Sequence, residues 1–190
     1  MMRLSVRLLI FVVLLAVGGV IYTKGMARVA TVEPPAMVSA ALQVSKIVVS
    51  KADKTLYLFQ GDKLLKSYRV SMGRHWQAGH KQREGDERTP EGSYRIDWRN
   101  PKSSAYLSLH ISYPNKQDSQ QAQAGGYPPG GNIMIHGLPN GWGALGKLHR
   151  LVDWTDGCLG VTNQEMREIW SLTPNGTPIE LHANWKPSLL

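Results

Sequence analysis

A single cysteine, Cys158, stands in the turn Thr155-Asp156-Gly157-Cys158. A histidine, His136, closes the apolar run Ile133-Met134-Ile135 twenty-two positions upstream (158 − 136). A lone thiol with a histidine elsewhere in the chain is the material of a cysteine nucleophile and its base. The thiol attacks as thiolate, and a neighbouring imidazole lowers its pKa from about 8.5 into the range of roughly 3.5–7.5. Acyl transfer also needs N–H donors for the developing oxyanion. A Gly-Cys turn supplies them, because Gly157 lets the backbone turn sharply with no side chain in the way. These residue types point to attack by Cys158 on an amide carbonyl, with His136 moving the proton and the amides around Gly157 and Cys158 holding the oxyanion.

His149, nine positions before Cys158 (158 − 149), is the rival base. His136 is preferred because a strand end fixes it and a glycine follows it. His149 lies in Gly146-Lys147-Leu148-His149-Arg150, which reads as a short helix carrying substrate contacts. A zinc site built from His136, His149 and Cys158 lacks the close ligand pair of zinc motifs, so no metal and no cofactor is expected. The competing account of Cys158 as a small buried hydrophobe fits poorly with its glycine and polar neighbours.

The elements that must carry these groups are mostly strands. Ile47-Val48-Val49 is a β-branched run, and Lys54–Phe59 and Lys63–Ser71 flank Gly61-Asp62 as a hairpin. Gly73–Gly92 is a long charged loop, of the kind that lines substrate grooves more often than it decorates a surface. Ser93–Trp98 and Tyr106–Ser112 read as strands, and the latter's alternation sets His110 opposite Leu107, Leu109 and Ile111. Lys116–Ala124 reads as a short polar helix, and Asn132–His136 as the strand that delivers His136. After a short strand at Leu159–Val161, Thr162-Asn163-Gln164-Glu165 has the form of a capping box, opening a helix with Met166, Ile169, Trp170 and Leu172 as its apolar stripe. Thr177–His182 is a last strand, expected at a sheet edge because of Pro178.

With 19 glycines and 11 prolines in 190 residues, 42% hydrophobic and 19% charged, the chain suits one domain rich in strands and turns. Its formal net charge of +8 suits anionic envelope polymers or lipid headgroups as well as nucleic acid. The N-terminus decides among them. Arg3 and Arg7 precede an uncharged apolar run, Leu8–Tyr22, with Gly25 and Ala27 beyond it. Residues 1–27 therefore read as a signal peptide or an N-terminal membrane anchor, 28–44 as a linker and 45–185 as the domain. With Arg3 and Arg7 held on the cytoplasmic side, the domain faces outward, in the periplasm or cell envelope, and nucleic acid is not a partner. The inner membrane is a partner if the anchor is retained.

His136-Gly137 followed by Thr155-Asp156-Gly157-Cys158 resembles the catalytic signature of the L,D-transpeptidase (YkuD) family. The longer stretch Asp153–Asn163 is similar to its YafK-type subgroup. Further agreement lies in Gly79-His80-Lys81, Gly85-Asp86, Arg88-Thr89-Pro90-Glu91-Gly92, Ser108–Asn115 and His136-Gly137-Leu138-Pro139. The resemblance implies a mainly β, barrel-like or sandwich-like catalytic domain with a short active-site helix. It implies peptidoglycan stem peptides as substrate, cut at the L-to-D bond through an acyl-enzyme on cysteine that an amine or water resolves; an envelope-anchored protein or peptide is a candidate acceptor. Cys158 takes the nucleophile's place and His136 the base's, Gly137 gives the carbonyl that orients the imidazole, and Gly157 belongs to the oxyanion turn. Lys81, Arg88, His149, Thr155 and Asp156 are candidate substrate contacts.

Two positions depart from the common pattern. Asp156 stands where many members have histidine, and Gly160 where many have arginine or asparagine, the latter as a subgroup trait. Lys81, Arg88, Lys147 or Arg150 is then expected to supply the missing cation. A sortase would need an arginine after the cysteine, and the only one, Arg167, lies on the capped helix. Papain-like and NlpC-type peptidases reverse the Cys–His order. A non-catalytic envelope-binding module is the reading from another class, and thiol labelling separates it from an enzyme.

Overall fold

The computed structural model describes residues 2–29 and 32–187. The N-terminal helix α1 (Met2–Arg28) is longer than the apolar run suggests. Its segment Val6–Arg28, 23 residues, is long and apolar enough to cross a membrane by length and composition. At 1.5 Å per residue it spans roughly 35 Å, against a hydrocarbon core of about 30 Å.

The domain is one curled sheet of eight strands: β1 (Lys46–Ser50), β2 (Thr55–Gln60), β3 (Lys63–Arg69), β4 (Gly92–Ser103), β5 (Tyr106–Ile111), β6 (Met134–His136), β7 (Leu159–Gly160) and β8 (Pro178–His182). Their spatial order is β3-β2-β1-β8-β4-β5-β6-β7. The two ends of this order meet just past β3, where Ser71 and Gly160 exchange backbone hydrogen bonds of 2.9 and 2.8 Å. This closure curls the sheet into a half-barrel around Ile47, Val49, Leu56, Leu58, Ile96, Leu107, Leu109, Ile111 and Ile135. Burial of such side chains is worth roughly 1.5–3 kcal/mol each, and alternation along the strands is what turns them all to one side.

Two short helices finish the domain. The polar helix α2 (Lys116–Ala124) starts on a capping box between Asn115 and Asp118. Helix α3 (Asn163–Leu172) starts on the Thr162–Glu165 box, as its sequence predicts, and buries Met166, Ile169 and Trp170 against β5 and β6.

The expectation of an edge position for the last strand does not hold. Strand β8 lies inside the sheet, parallel to β1 and antiparallel to β4. Its proline is tolerated because Pro178 is the strand's first residue and the pairing to β1 begins only at Ile179. The stretch read as a linker lies along the domain: Val38 and Val44 donate to the carbonyls of Ser171 and Leu172, and Gln60 donates to Ala41 O.

The charged loop between β3 and β4 is held from within. Lys51, almost fully buried, donates to Gly79 O, Thr89 O and Glu91 Oε1 at 2.7–3.0 Å. Asp86 accepts from the amides of Gln82, Arg83 and Arg88 and from Lys81 Nζ. Burial works against the Asp86 carboxylate, yet Lys81 and these amides hold it below the usual carboxylate range. A loop tied at two buried charges presents a fixed wall.

Candidate active site

Strands β6 and β7 bring the two reactive groups together. They pair in parallel with Ile135 opposite Leu159 and His136 opposite Gly160. Cys158 immediately precedes β7 and receives the Met134 amide on its sulfur at 3.3 Å. Met134 and His136 are two residues apart and so share a face of the sheet. Two residues distant in sequence become diagonal neighbours, and both line one cavity of about 460 Å³ with Asn132, Trp154, Thr155 and Asp156.

Each side chain has its own support. His136 is buried, and its Nδ1 lies 2.7 Å from Gly137 O. That carbonyl can only accept, so Nδ1 carries the proton and Nε2 is left with a lone pair. Gly137 must be glycine: a Cβ there would sit 2.7 Å from Asn163 Oδ1 and 2.8 Å from Tyr106 Cβ. Asn163, the first residue of α3, holds the following segment by accepting from the Leu138 amide at 2.8 Å. Gly157 has φ +128°, and a Cβ would lie 2.5 Å from Arg88 O. Thr155 clasps the turn, accepting from Gly157 N at 3.3 Å and donating to Cys158 O at 2.8 Å.

Burial favours the neutral form of both groups. Burial pushes the Cys158 thiol up to about 11; the Met134 amide opposes this shift and the Asp156 carboxylate adds to it. Burial likewise pushes the His136 imidazole below its ordinary value, against the Gly137 carbonyl. The Cys158 sulfur is 3.5 Å from Asn132 O, its hydrogen-bond acceptor here.

The remaining sequence candidates divide. Asp156 is at the cavity edge, and its cation is Arg74, 2.8 Å away, which also binds Glu87 at 2.9 Å. None of Lys81, Arg88, Lys147 and Arg150 pairs with Asp156. Lys81 is buried with its ammonium on Asp86 Oδ1 at 2.8 Å and on Arg83 O. Arg150 pairs with Glu165, and Lys147 lines a separate cleft beside Glu165 and Glu168. Arg88 faces a cavity of about 650 Å³ with His75, Arg83 and Tyr127. That cavity shares Gly85 with a cleft that shares Gly131, Asn132 and Asp156 with the thiol cavity, so three adjoining cavities lead from the thiol toward Arg88.

His149 serves a different neighbourhood. Its Nδ1 accepts from the Trp154 indole at 3.3 Å and meets Ser71 Oγ at 3.1 Å. Burial, helped by Arg150, lowers its pKa to about 4. Trp154 stands between the two histidines, with its ring 5.5 Å from that of His136 and 6.2 Å from that of His149. It also explains Gly160, where a Cβ would meet Trp154 Cζ2 at 3.1 Å. The indole fills the place of a larger side chain.

Sequence reasoning passed over Arg74, Asn163, Asp153 and Trp154 as site residues. Asp153 accepts from Met72 N, Lys54 Nζ and Trp76 Nε1, and so ties the cysteine turn to the sheet. The Asp-Trp pair just before the turn is the signal that could have found two of the four. Arg74 and Asn163 gave none.

The L,D-transpeptidase catalytic domain (YkuD) profile matches residues 45–181. The Escherichia coli protein named "Putative L,D-transpeptidase YafK" is 33% identical over 135 residues, which cover 65% of this chain and 45% of that protein. The chain thus spans about half the length of the curated relatives it matches. Among solved structures, the helical cell shape determining protein Pgp2 from Campylobacter jejuni superposes with a TM-score of 0.55 at 21% identity, over 87% of this chain and 56% of that one. Bd1075 from Bdellovibrio bacteriovorus gives a TM-score of 0.53 at 23% identity, over 78% and 51%. These two likenesses concern the fold. With the profile covering residues 45–181, most of the chain, the chain belongs to the L,D-transpeptidase catalytic domain (YkuD) family.

Proposed function

We propose that this protein is a cysteine acyltransferase acting on peptidoglycan stem peptides in the periplasm or cell envelope. The observation that carries the reading is the orientation of His136: Nδ1–H is committed to Gly137 O, and Nε2 remains a base in the cavity lined by Cys158. When a peptide carbonyl enters, Cys158 Sγ forms a bond to the carbonyl carbon and its proton passes to His136 Nε2. The tetrahedral oxyanion is held by backbone amides at the Gly157–Cys158 turn. Collapse breaks the C–N bond, the amine leaves with the proton from His136, and a thioester remains. An incoming amine or water then attacks the thioester, giving up its proton through His136 and releasing the thiol.

The groove toward Arg88 and Arg83 suits a carboxylate of the stem peptide, since guanidinium binds carboxylate in a two-pronged fashion. In this reading Thr155 supports the turn, and Lys81 acts through Asp86 on the loop wall.

The test is intact-protein mass spectrometry with a defined tetrapeptide muropeptide. A mass increase equal to the acyl fragment is expected on the native chain and none on Cys158→Ala. An equal adduct on both chains overturns the assignment of Cys158. Product analysis then separates cross-linking from hydrolysis, because new cross-links and shortened stems differ in mass. A non-catalytic binding module would bind the muropeptide without any adduct.

A further inference from the structure

We propose that the segment Leu138–Val152 rests its apolar face on the lipid surface that α1 enters, so that the catalytic groove opens at the membrane. The inference goes beyond the reading above and rests on α1 being a retained anchor, one of the two expectations for residues 1–27.

Three contacts fix the outer end of α1 to this segment. The Trp142 indole N–H donates to Thr23 Oγ1 at 2.9 Å, the Tyr22 hydroxyl donates to Gly141 O at 3.2 Å, and the two rings meet edge to face at 5.8 Å. Gly141 leaves no room for more, since a Cβ there would lie 2.8 Å from both Met26 and Tyr22. Tyr and Trp at the end of an apolar helix are the side chains that favour the bilayer interface, apolar in body and polar at one atom.

Beside this joint lies an apolar face that is left bare among the described residues. Leu145, Leu148, Leu151 and Val152 are 41%, 63%, 81% and 63% exposed. With Leu138, Pro139, Trp142 and Trp154 they line a groove of about 520 Å³. Three leucines on the short kinked 3-10 segment Gly143–Leu151, with Val152 just beyond it, are costly to hold in water. The face is continuous with the helix end through Trp142; Arg150 is paired with Glu165 and Lys147 lines the cleft beside Glu165 and Glu168. Lys24 and Arg28 are at the same end of α1. An apolar face beside the two cations of the helix end fits anionic phospholipid. The consequence for the site is direct: Pro139 and Trp154 line both this groove and the thiol cavity, and Thr23 and Ala27 of α1 stand at the cavity's edge.

Depth-dependent quenching on the full chain tests this. In a Cys158→Ala background, single cysteines replace Leu15, Leu64, Leu148 or Leu151 and carry an environment-sensitive fluorophore. Each protein is placed one copy per nanodisc of phosphatidylethanolamine and phosphatidylglycerol, with nitroxide on the headgroup or along the acyl chain. Leu15 should be quenched most by the deep nitroxide. Leu148 and Leu151 should be quenched at least twofold by the headgroup or shallow nitroxide, and Leu64, on β3, should not be. If Leu15 is quenched while Leu148 and Leu151 behave as Leu64, the anchor stands and the inference falls. If Leu15 is not quenched, both fall. A blue shift at Leu148 without nitroxide quenching gives the face to a protein partner and overturns the lipid assignment.

Discussion

The Arg74 guanidinium lies 2.8 Å from Asp156 and 2.9 Å from Glu87, bridging the cysteine turn to the loop before β4. It offsets a carboxylate whose charge otherwise raises the proton affinity of Cys158. Arg74→Ala should therefore slow thiol alkylation and acylation, by about two- to fivefold because the pair is solvent-screened. Asp156→Asn should speed alkylation and remove the effect of Arg74→Ala in the double variant. Equal slowing by Arg74→Ala in both backgrounds would show that Arg74 acts by some other route.

Because Cys158 is the sole cysteine, its titration can be followed without interference. With the thiol raised to about 11 and the imidazole lowered, the unliganded protein is expected to hold neutral thiol and neutral imidazole at pH 7. The rate of iodoacetamide alkylation should keep climbing with pH beyond 9. A plateau already reached below pH 7 would mean a preformed thiolate–imidazolium pair and would falsify the neutral resting state.

Gly157→Ala should strain the turn at φ +128° and drive a Cβ to 2.5 Å from Arg88 O, a backbone atom that cannot swing aside. The expected cost is about 1–3 kcal/mol of stability, read as a lower midpoint in urea, with turnover lost. Unchanged stability would mean that the loop carrying Arg88 moves freely, against its anchoring by Asp86.

Thr155→Val removes both the acceptor for Gly157 N and the donor to Cys158 O while keeping the side chain's shape. A loss of about 1–3 kcal/mol is expected where a buried partner is left unsatisfied, with acylation reduced more than muropeptide binding. Thr155→Ser should restore most of both. Equal losses in binding and acylation would point instead to a direct substrate contact.

The stability of the fold should fall in mild acid, and His149 sets part of the window. Its pKa is about 4 in the folded chain and about 6.5 unfolded, so between these values the unfolded chain binds the extra proton. Stability thus rises with pH through this window, is fully present above about 6.5, and is lost as pH falls toward 4. His136, also lowered, acts in the same direction. His149→Gln should flatten the dependence of the urea midpoint between pH 4 and 6.5, and an unchanged slope would remove His149 from the account.

Local chemistry was enough to read the hairpin over Gly61-Asp62, the capping box at Thr162, the strand ending at His136 and the glycine before the thiol. Each is a short-range preference: a turn conformation, a cap, or an alternation of two. The family resemblance implied the same roles for Cys158 and His136 that their residue types had suggested, and added that of Gly137. What lay beyond the sequence were pairings between distant segments. Pro178 suggested an edge, but a strand's place depends on which neighbours pair with it, and only its first residue lacks the donor. Asp156 and Gly160 looked like losses to the site until the fold set Arg74 against one and the Trp154 ring over the other. The step from β6 to β7 passes through more than twenty residues, and no local rule states its parallel register. That register, fixed by the backbone hydrogen bonds of the closed sheet, is what sets His136 beside Cys158.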